Sequence, residues 1–500
     1  MGNCLLSIGG AGHRSLKPLV FLAAAGVLGD DDLALLCVDN DSTNGNLTES
    51  LNLIHLYNRV QSSTRWLGDS GLFRPKLALV EDKPWSPFDA TGGDPTLDHY
   101  LGHESMRASE EYLTTLYEFL YDSEKRRLEV TEGFRGKPSI GAAVYRAAAR
   151  AKTNGTVDSL QRLRVLLETG AAQGKPVKLF SMGSIFGGTG AAGLPSIPLS
   201  LIERMKNGGE HVLSGAAFLL PYFEFDTNAL EDQGAHANPN DFIMMMKDAL
   251  RYYLLNPSGY HCVYAVGADR WRHISTPAVG KKEQKNQTDL VELLAALAAS
   301  NFLVSWQPPD PSKPTEHPEL YVLHRGEEGA FHWSDVPEAE RIKPKMACFT
   351  RFAFLYLSDF APLLEKSASK PIDQVWFKNL VQDAGINPAS AQFQEQVAAL
   401  KAFCTEYLQW WDHLHQGSGT GLNLVQSSAF AGGHFDRNAF PTLVVGERYP
   451  ASRDQAVKQL HGERREQKSD LSGLGYFARA LERVTRNFKD TNYATNVAGR

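Results

Sequence analysis

The chain has 500 residues, 43% hydrophobic and 22% charged, with a net charge of −6. This is ordinary globular composition with ample apolar material, but 500 residues exceed what one core usually spans, so two domains or one with large insertions are expected. The acidic balance argues against a nucleic-acid binder, because phosphate contacts need a basic surface.

The opening Met1-Gly2-Asn3-Cys4 resembles an acylation signal only superficially. Leu6 stands where Ser or Thr is required, and Cys4 to Ile8 reads as a buried strand. The glycines Gly9, Gly10 and Gly12, with Ala11 between them, follow at once. A helical stretch, Leu16 to Leu28, and a continuous apolar run, Leu33 to Val38, complete a βαβ unit with a parallel sheet. The second strand ends in Asp39-Asn40-Asp41.

Residues 42–132 carry weaker signals and read partly as an insertion. Within them Leu113, Leu116, Tyr117 and Leu120 recur at helical spacing. The α/β pattern resumes with helices over Ile140–Lys152 and Asp158–Thr169 and a strand over Val177–Ser181. A second glycine-rich loop, Gly183 to Gly193, leads into a further helix. Strands over Val212–Leu220 and Tyr260–Val266 flank a helix near Asp241–Leu255, and a long apolar helix runs from Asp289 to Leu303. The prolines Pro308, Pro309 and Pro311 mark the expected domain boundary, dividing 1–303 from 304–500. Beyond them a strand over Met346–Tyr356, helices near Ser390–His415 and a polar last helix suggest a smaller α+β domain.

Cys4, Cys37, Cys262, Cys348 and Cys404 form no CxxC pair, which points to reduced thiols in a cytoplasmic protein. No run of about 18 apolar residues occurs, so no membrane insertion is expected. Met244-Met245-Met246 reads as core filling, Asp412-His413-Leu414-His415 as a helix whose histidines point apart, and Gly417–Gly421 as a linker. Glu463-Arg464-Arg465-Glu466 reads as a solvated face.

Glycines at strand-to-helix turns let backbone N–H groups approach a phosphate, and two such loops occur with no GxxxxGK[ST] motif anywhere. The ordered set resembles the tubulin/FtsZ family. Gly187-Gly188-Thr189-Gly190-Ala191 resembles the family's GGTG phosphate loop, and Gly9, Gly10, Ala11 and Gly12 its first phosphate loop. Asp39, Asn40 and Asp41 are similar to the loop that reaches the phosphate and magnesium region. Gly133 to Gly141, with Gly136, resembles the loop bordering the γ-phosphate. Leu220 to Phe225, with Glu224, resembles the stretch after the fourth strand, and Val266 to Arg270, with Asp269, the next loop. Asn286-Gln287-Thr288-Asp289 resembles the start of the central helix, where Asp289 would contact guanine.

The resemblance covers residues 1 to about 303 and implies a doubly wound domain holding GTP or GDP with Mg2+. It also implies head-to-tail self-assembly, with hydrolysis at subunit contacts. Three departures stand out. Phe186 replaces the first glycine of the triple, Gly193 closes the loop one residue late, and Ala268 stands where an asparagine is common. No N-x-D-x-x-D follows the central helix. Asp310 is the candidate catalytic acid, with Glu316 as the fallback. Two alternatives remain open: a non-hydrolysing scaffold or sensor, and a Rossmann-type NAD-dependent oxidoreductase using Gly10-Ala11-Gly12 and Asp39, with Ser15 in place of its last glycine. The C-terminal part is a candidate surface for a further protein partner.

Overall fold

Short apolar runs that are buried along their whole length form the central strands, because helices cover both faces of the sheet. The computed structural model describes residues 2–64, 71–88, 96–131, 133–134, 136–150, 158–174, 176–205, 208–225, 239–256, 259–269, 271–274, 282, 286–309, 317–325, 330–417, 421–463 and 473–486.

In chain order the elements used below are β1 (Asn3–Ile8), α1 (Gly9–Ala24), β2 (Leu33–Val38), α2 (Gly45–Thr64) and β3 (Leu77–Leu79). Next come α3 (Glu111–Leu120), α4 (Pro138–Arg150), α5 (Ser159–Ala171), β4 (Val177–Ser184), α6 (Gly188–Gly193) and α7 (Ile197–Glu203). They are followed by β5 (Val212–Leu219), β6 (Phe223–Phe225), α8 (Pro239–Leu255), β7 (Cys262–Ala268), β8 (Arg272–Ile274) and the central helix α9 (Leu290–Ser300). β9 (Glu319–Arg325), α10 (Ala339–Leu355), α11 (Ala391–Gly417) and α12 (Gly475–Arg486) complete the set.

Seven strands form one all-parallel sheet in the order β3-β2-β1-β4-β5-β7-β9. The period-2 alternation of a strand decides which layer each side chain joins. Leu5, Leu35, Cys37, Phe180 and Met182 face the layer of α1, α2 and α9. Leu6, Ile8, Leu36, Val38 and Leu179 face the layer of α4, α5 and α7. From β1 the chain winds outward through β2 and β3; from β4 it winds the other way through β5, β7 and β9. The order therefore reverses between β1 and β4. In open α/β sheets ligands bind at that reversal, outside the carboxyl ends of the strands.

The expected α/β class and parallel sheet hold, whereas the α+β expectation for the C-terminal part does not. Met346–Tyr356 lies in helix α10 and its continuing turn, not in a strand. The run is buried all round, and burial on every side erases the periodicity that separates a core helix from a core strand. Among the described residues beyond 330, the strands are two two-residue segments, Phe331–His332 and Leu422–Asn423, paired with each other. The remaining elements there are helical.

These helices pack directly on the N-terminal half. Phe21 of α1 meets Phe403, Tyr407 and Trp410 of α11 at ring-centroid distances of 5.7, 5.4 and 5.1 Å. Phe73 meets Phe349 of α10 at 5.5 Å. Within 42–132, α2 lies on α1, and β3 extends the sheet beside β2, so this part belongs to the main fold. Helix α3 forms where the spacing placed one, but it buries only Tyr117 and leaves Leu113, Leu116 and Leu120 exposed. One helical run among the described residues, Ala339–Lys366, is long and apolar enough to cross a bilayer, and 72% of its apolar window is buried inside the fold.

Candidate functional site: a glycine-lined crevice at the switch point

Three loops meet at the carboxyl ends of β1 and β4. Gly9 has φ +71°, and a Cβ there would lie 3.1 Å from Thr189 Cβ and 3.2 Å from the Gly190 nitrogen. The two phosphate-loop candidates therefore touch through a position that only glycine serves without strain. At Gly12 a Cβ would sit 2.5 Å from the Met182 carbonyl oxygen, and at Gly190 it would sit 2.4 Å from that of Ser184. A Cβ on Gly188 would approach Phe134 Cβ at 3.0 Å and the Gly136 nitrogen at 3.1 Å, which brings Phe134 and Gly136 against the second loop. Gly10 differs from these, because nothing lies within 4 Å of its Cβ position. Ala11 is buried behind it, its carbonyl accepting from Ser15 Oγ at 3.0 Å. Ala191 lies on α6, two residues past Thr189.

The departures from the family pattern have local reasons. Phe186 is buried, its ring centroid 5.0 Å from Phe242, 5.5 Å from Phe223 and 6.4 Å from Tyr222. It fills an aromatic core beneath the loop. Gly193 serves packing, since a Cβ there would come within 2.6 Å of Ile8 Cγ2.

The acids after β2 sit in a buried polar network. Asp39 Oδ2 lies 3.3 Å from His13 Nε2, and His13 Nδ1 lies 2.7 Å from Ser7 Oγ. Asp39 Oδ1 accepts from the Asp41 N–H at 3.2 Å, while Asp41 Oδ1 accepts from the Thr43 N–H at 3.0 Å and hydroxyl at 2.8 Å. Asn40 Nδ2 donates to the Val130 carbonyl at 3.1 Å. Asp39 and Asp41 are the residues here with the hard oxygen donors that magnesium takes. Among the described residues no three His, Cys, Asp or Glu side chains cluster as a metal cage, and Mg2+ commonly completes its shell with phosphate oxygens and water.

Asp289 caps the central helix. Its Oδ1 accepts from the Val291 N–H at 2.9 Å, and Glu292 Oε2 accepts from the Asp289 N–H at 3.1 Å. Arg14 of α1 donates through Nε to Glu292 Oε1 at 2.6 Å and through a second nitrogen to the Tyr222 hydroxyl. That hydroxyl donates to Glu292 Oε1 at 3.1 Å. Helix α1, the stretch after β5 and the central helix are thus joined by one buried charged network. Burial, followed by the neighbouring Glu292 charge, raises the Asp289 carboxyl to about 6. The segment leading into Asp289 is held by Asn46 Oδ1, which accepts from the Asn286 N–H at 2.9 Å, and by Arg272, which donates to the Thr288 carbonyl at 2.9 Å.

Not every expected residue joins this crevice. Glu224 lies on β6, in a separate two-stranded ribbon with β8, and faces His273 at 3.6 Å. Asp269 directly follows β7, two strand positions from β4, and faces His324 of the edge strand β9 at 3.8 Å. Asp310 and Glu316 lie outside the described residues. Sequence reasoning missed His13, Arg14, Asn46 and Glu292. For His13 and Arg14 a signal existed: they follow directly on the first glycine loop, where a side chain reaches the neighbouring strand end.

Chemically, the glycine turns offer backbone N–H groups to an anion, and Asp289 offers a half-buried carboxylate. Comparison of the chain with protein families, curated proteins and solved structures finds no match.

Proposed function

We propose that the crevice binds a guanine nucleotide, GTP or GDP, in the manner of the tubulin/FtsZ family. The observation that carries this reading is the meeting of three glycine loops at the topological switch point, with Gly10 bordering open space. Backbone N–H groups of the loops around Gly10 and Gly187–Gly190 would hold the phosphates. Asp39 and Asp41 would face the magnesium, and Asp289 would accept from the guanine N1–H and exocyclic amine.

The decisive experiment identifies by chromatography the nucleotide released from the denatured protein. Guanine nucleotide supports the reading. Retained NAD would favour the oxidoreductase alternative, and no nucleotide at all, with no GTP binding on addition, would overturn it. Gly10→Val is the informative variant, because a Cβ there meets no protein atom within 4 Å and the side chain would enter the space proposed for phosphate. GTP binding is expected to be lost while the circular dichroism spectrum is unchanged.

Head-to-tail self-assembly with hydrolysis at subunit contacts belongs to the same proposal, since an interface between two different faces propagates a filament. If each active site is completed by a neighbour, turnover per molecule rises with protein concentration. Absence of turnover would leave the non-hydrolysing binding module as the better description, and a rate per molecule that stays flat across a dilution series would point to an active site complete within one chain.

A further inference from the structure

A second cavity lies at the far end of α1. That helix has 16 residues and is about 24 Å long, so the cavity is separated from the glycine loops by most of a small domain's diameter. Its volume is about 480 Å³, and it opens between the turn after α1, the 71–74 segment, α10 and the end of α12. Its charged lining consists of Arg74, Lys345 and Arg486 against the single acid Asp30, while Leu72 and Pro344 contribute to its apolar walls. A cationic cavity runs against the trend of a chain whose net charge is −6.

Packing explains part of this arrangement. Arg74 Nε donates to Asp30 Oδ1 at 2.8 Å, and Arg486 pairs with Glu482, which also accepts from the Gly71 N–H at 2.6 Å. Lys345 Nζ donates to the Gly26 carbonyl at 2.8 Å, in the turn that follows α1. An ammonium has three N–H donors, and this is the one hydrogen bond that Lys345 makes among the described residues. This bond accounts for one donor of three. Burial and the nearby Arg341 charge hold the Lys345 pKa below that of an ordinary lysine, so an anion beside it would relieve an existing penalty.

We propose that this cavity binds a small anion, a phosphate or carboxylate group carried on a compact apolar body, with Lys345 as its central contact. The charged heads grip the anion by charge-assisted hydrogen bonds, and the apolar walls accept the remainder.

The test is calorimetric titration of the full chain at low ionic strength with inorganic phosphate and, separately, benzoate. Binding of at least one probe is expected to persist in Gly10→Val, where the glycine crevice is blocked. Lys345→Gln should weaken that binding about tenfold or more, the loss of one hydrogen bond to a charged group. Arg74→Gln serves as the second variant if Lys345→Gln does not fold. A preference for phosphate or for benzoate identifies the anionic group. The proposal is overturned if neither probe binds, if all binding disappears in Gly10→Val, or if Lys345→Gln binds as the unmodified chain does. Because the two sites respond to different substitutions, a failure here is separable from a failure of the nucleotide reading.

Discussion

Gly188 and Gly10 show how much the neighbours of a residue decide what its substitution means. Both belong to phosphate-loop candidates, but a Cβ at Gly188 would press on Phe134 and Gly136, whereas one at Gly10 meets nothing within 4 Å. Only the second substitution separates binding from folding. Asp289 gives a pH prediction with a definite sign. Its carboxyl is raised to about 6, so it is mainly ionised at pH 7 and mainly protonated at pH 5. Protonation removes an acceptor that guanine needs, and GTP affinity should fall about tenfold between those values. ATP, with an acceptor at N1, should gain relative to GTP, and Asp289→Asn should flatten the profile. For stability the sign is opposite: a carboxyl raised in the folded state destabilises it at neutral pH, and that cost is relieved as pH falls through about 6. Arg14→Met would leave Glu292 buried beside the polar Asp289 N–H without its cation and should cost about 3–5 kcal/mol in urea unfolding. Arg14→Met with Glu292→Gln should recover part of that loss. A double variant no better than the single one would show that charge is not the source.

At the level of elements, legibility followed burial pattern. The β1-α1-β2 unit could be read because short apolar runs alternate with a helix opened by glycines. Helix α2 could not, because its sequence is rich in Asn, Ser and Thr, although Leu47, Ile54, Tyr57 and Val60 line its buried face. Met346–Tyr356 failed for the opposite reason, being apolar at nearly every position. The charged part of the site was largely hidden, since Arg14 and Glu292 are 278 residues apart and only the fold joins them. The contact between α1 and α11 gives a test at this scale. Phe403 is fully buried against Phe21, Tyr57 and Phe73, so Phe403→Ala should cost about 3–5 kcal/mol through lost contact and a cavity. Equilibrium unfolding in urea measures it, and a loss below about 1 kcal/mol would mean the two helices bind each other loosely.

Across the whole molecule, one hydrophobic core runs from α1 and α2 through α9 to α10, α11 and α12. The proline cluster therefore does not separate two independent cores. A chain ending near residue 303 would expose the aromatic face of α1, and it is expected to lack a cooperative thermal transition. Calorimetry of the full chain should show one transition, and two well-separated peaks would contradict the shared core. The same contact gives the protein an optical gauge. Trp410 and Trp411 lie 4.6 Å apart, and Trp410 rests 5.1 Å from Phe21, on the helix whose first residues form the glycine crevice. Tryptophan emission responds to small changes in packing, so a shift of α1 on filling the crevice would register as a change in the native fluorescence of an unlabelled chain.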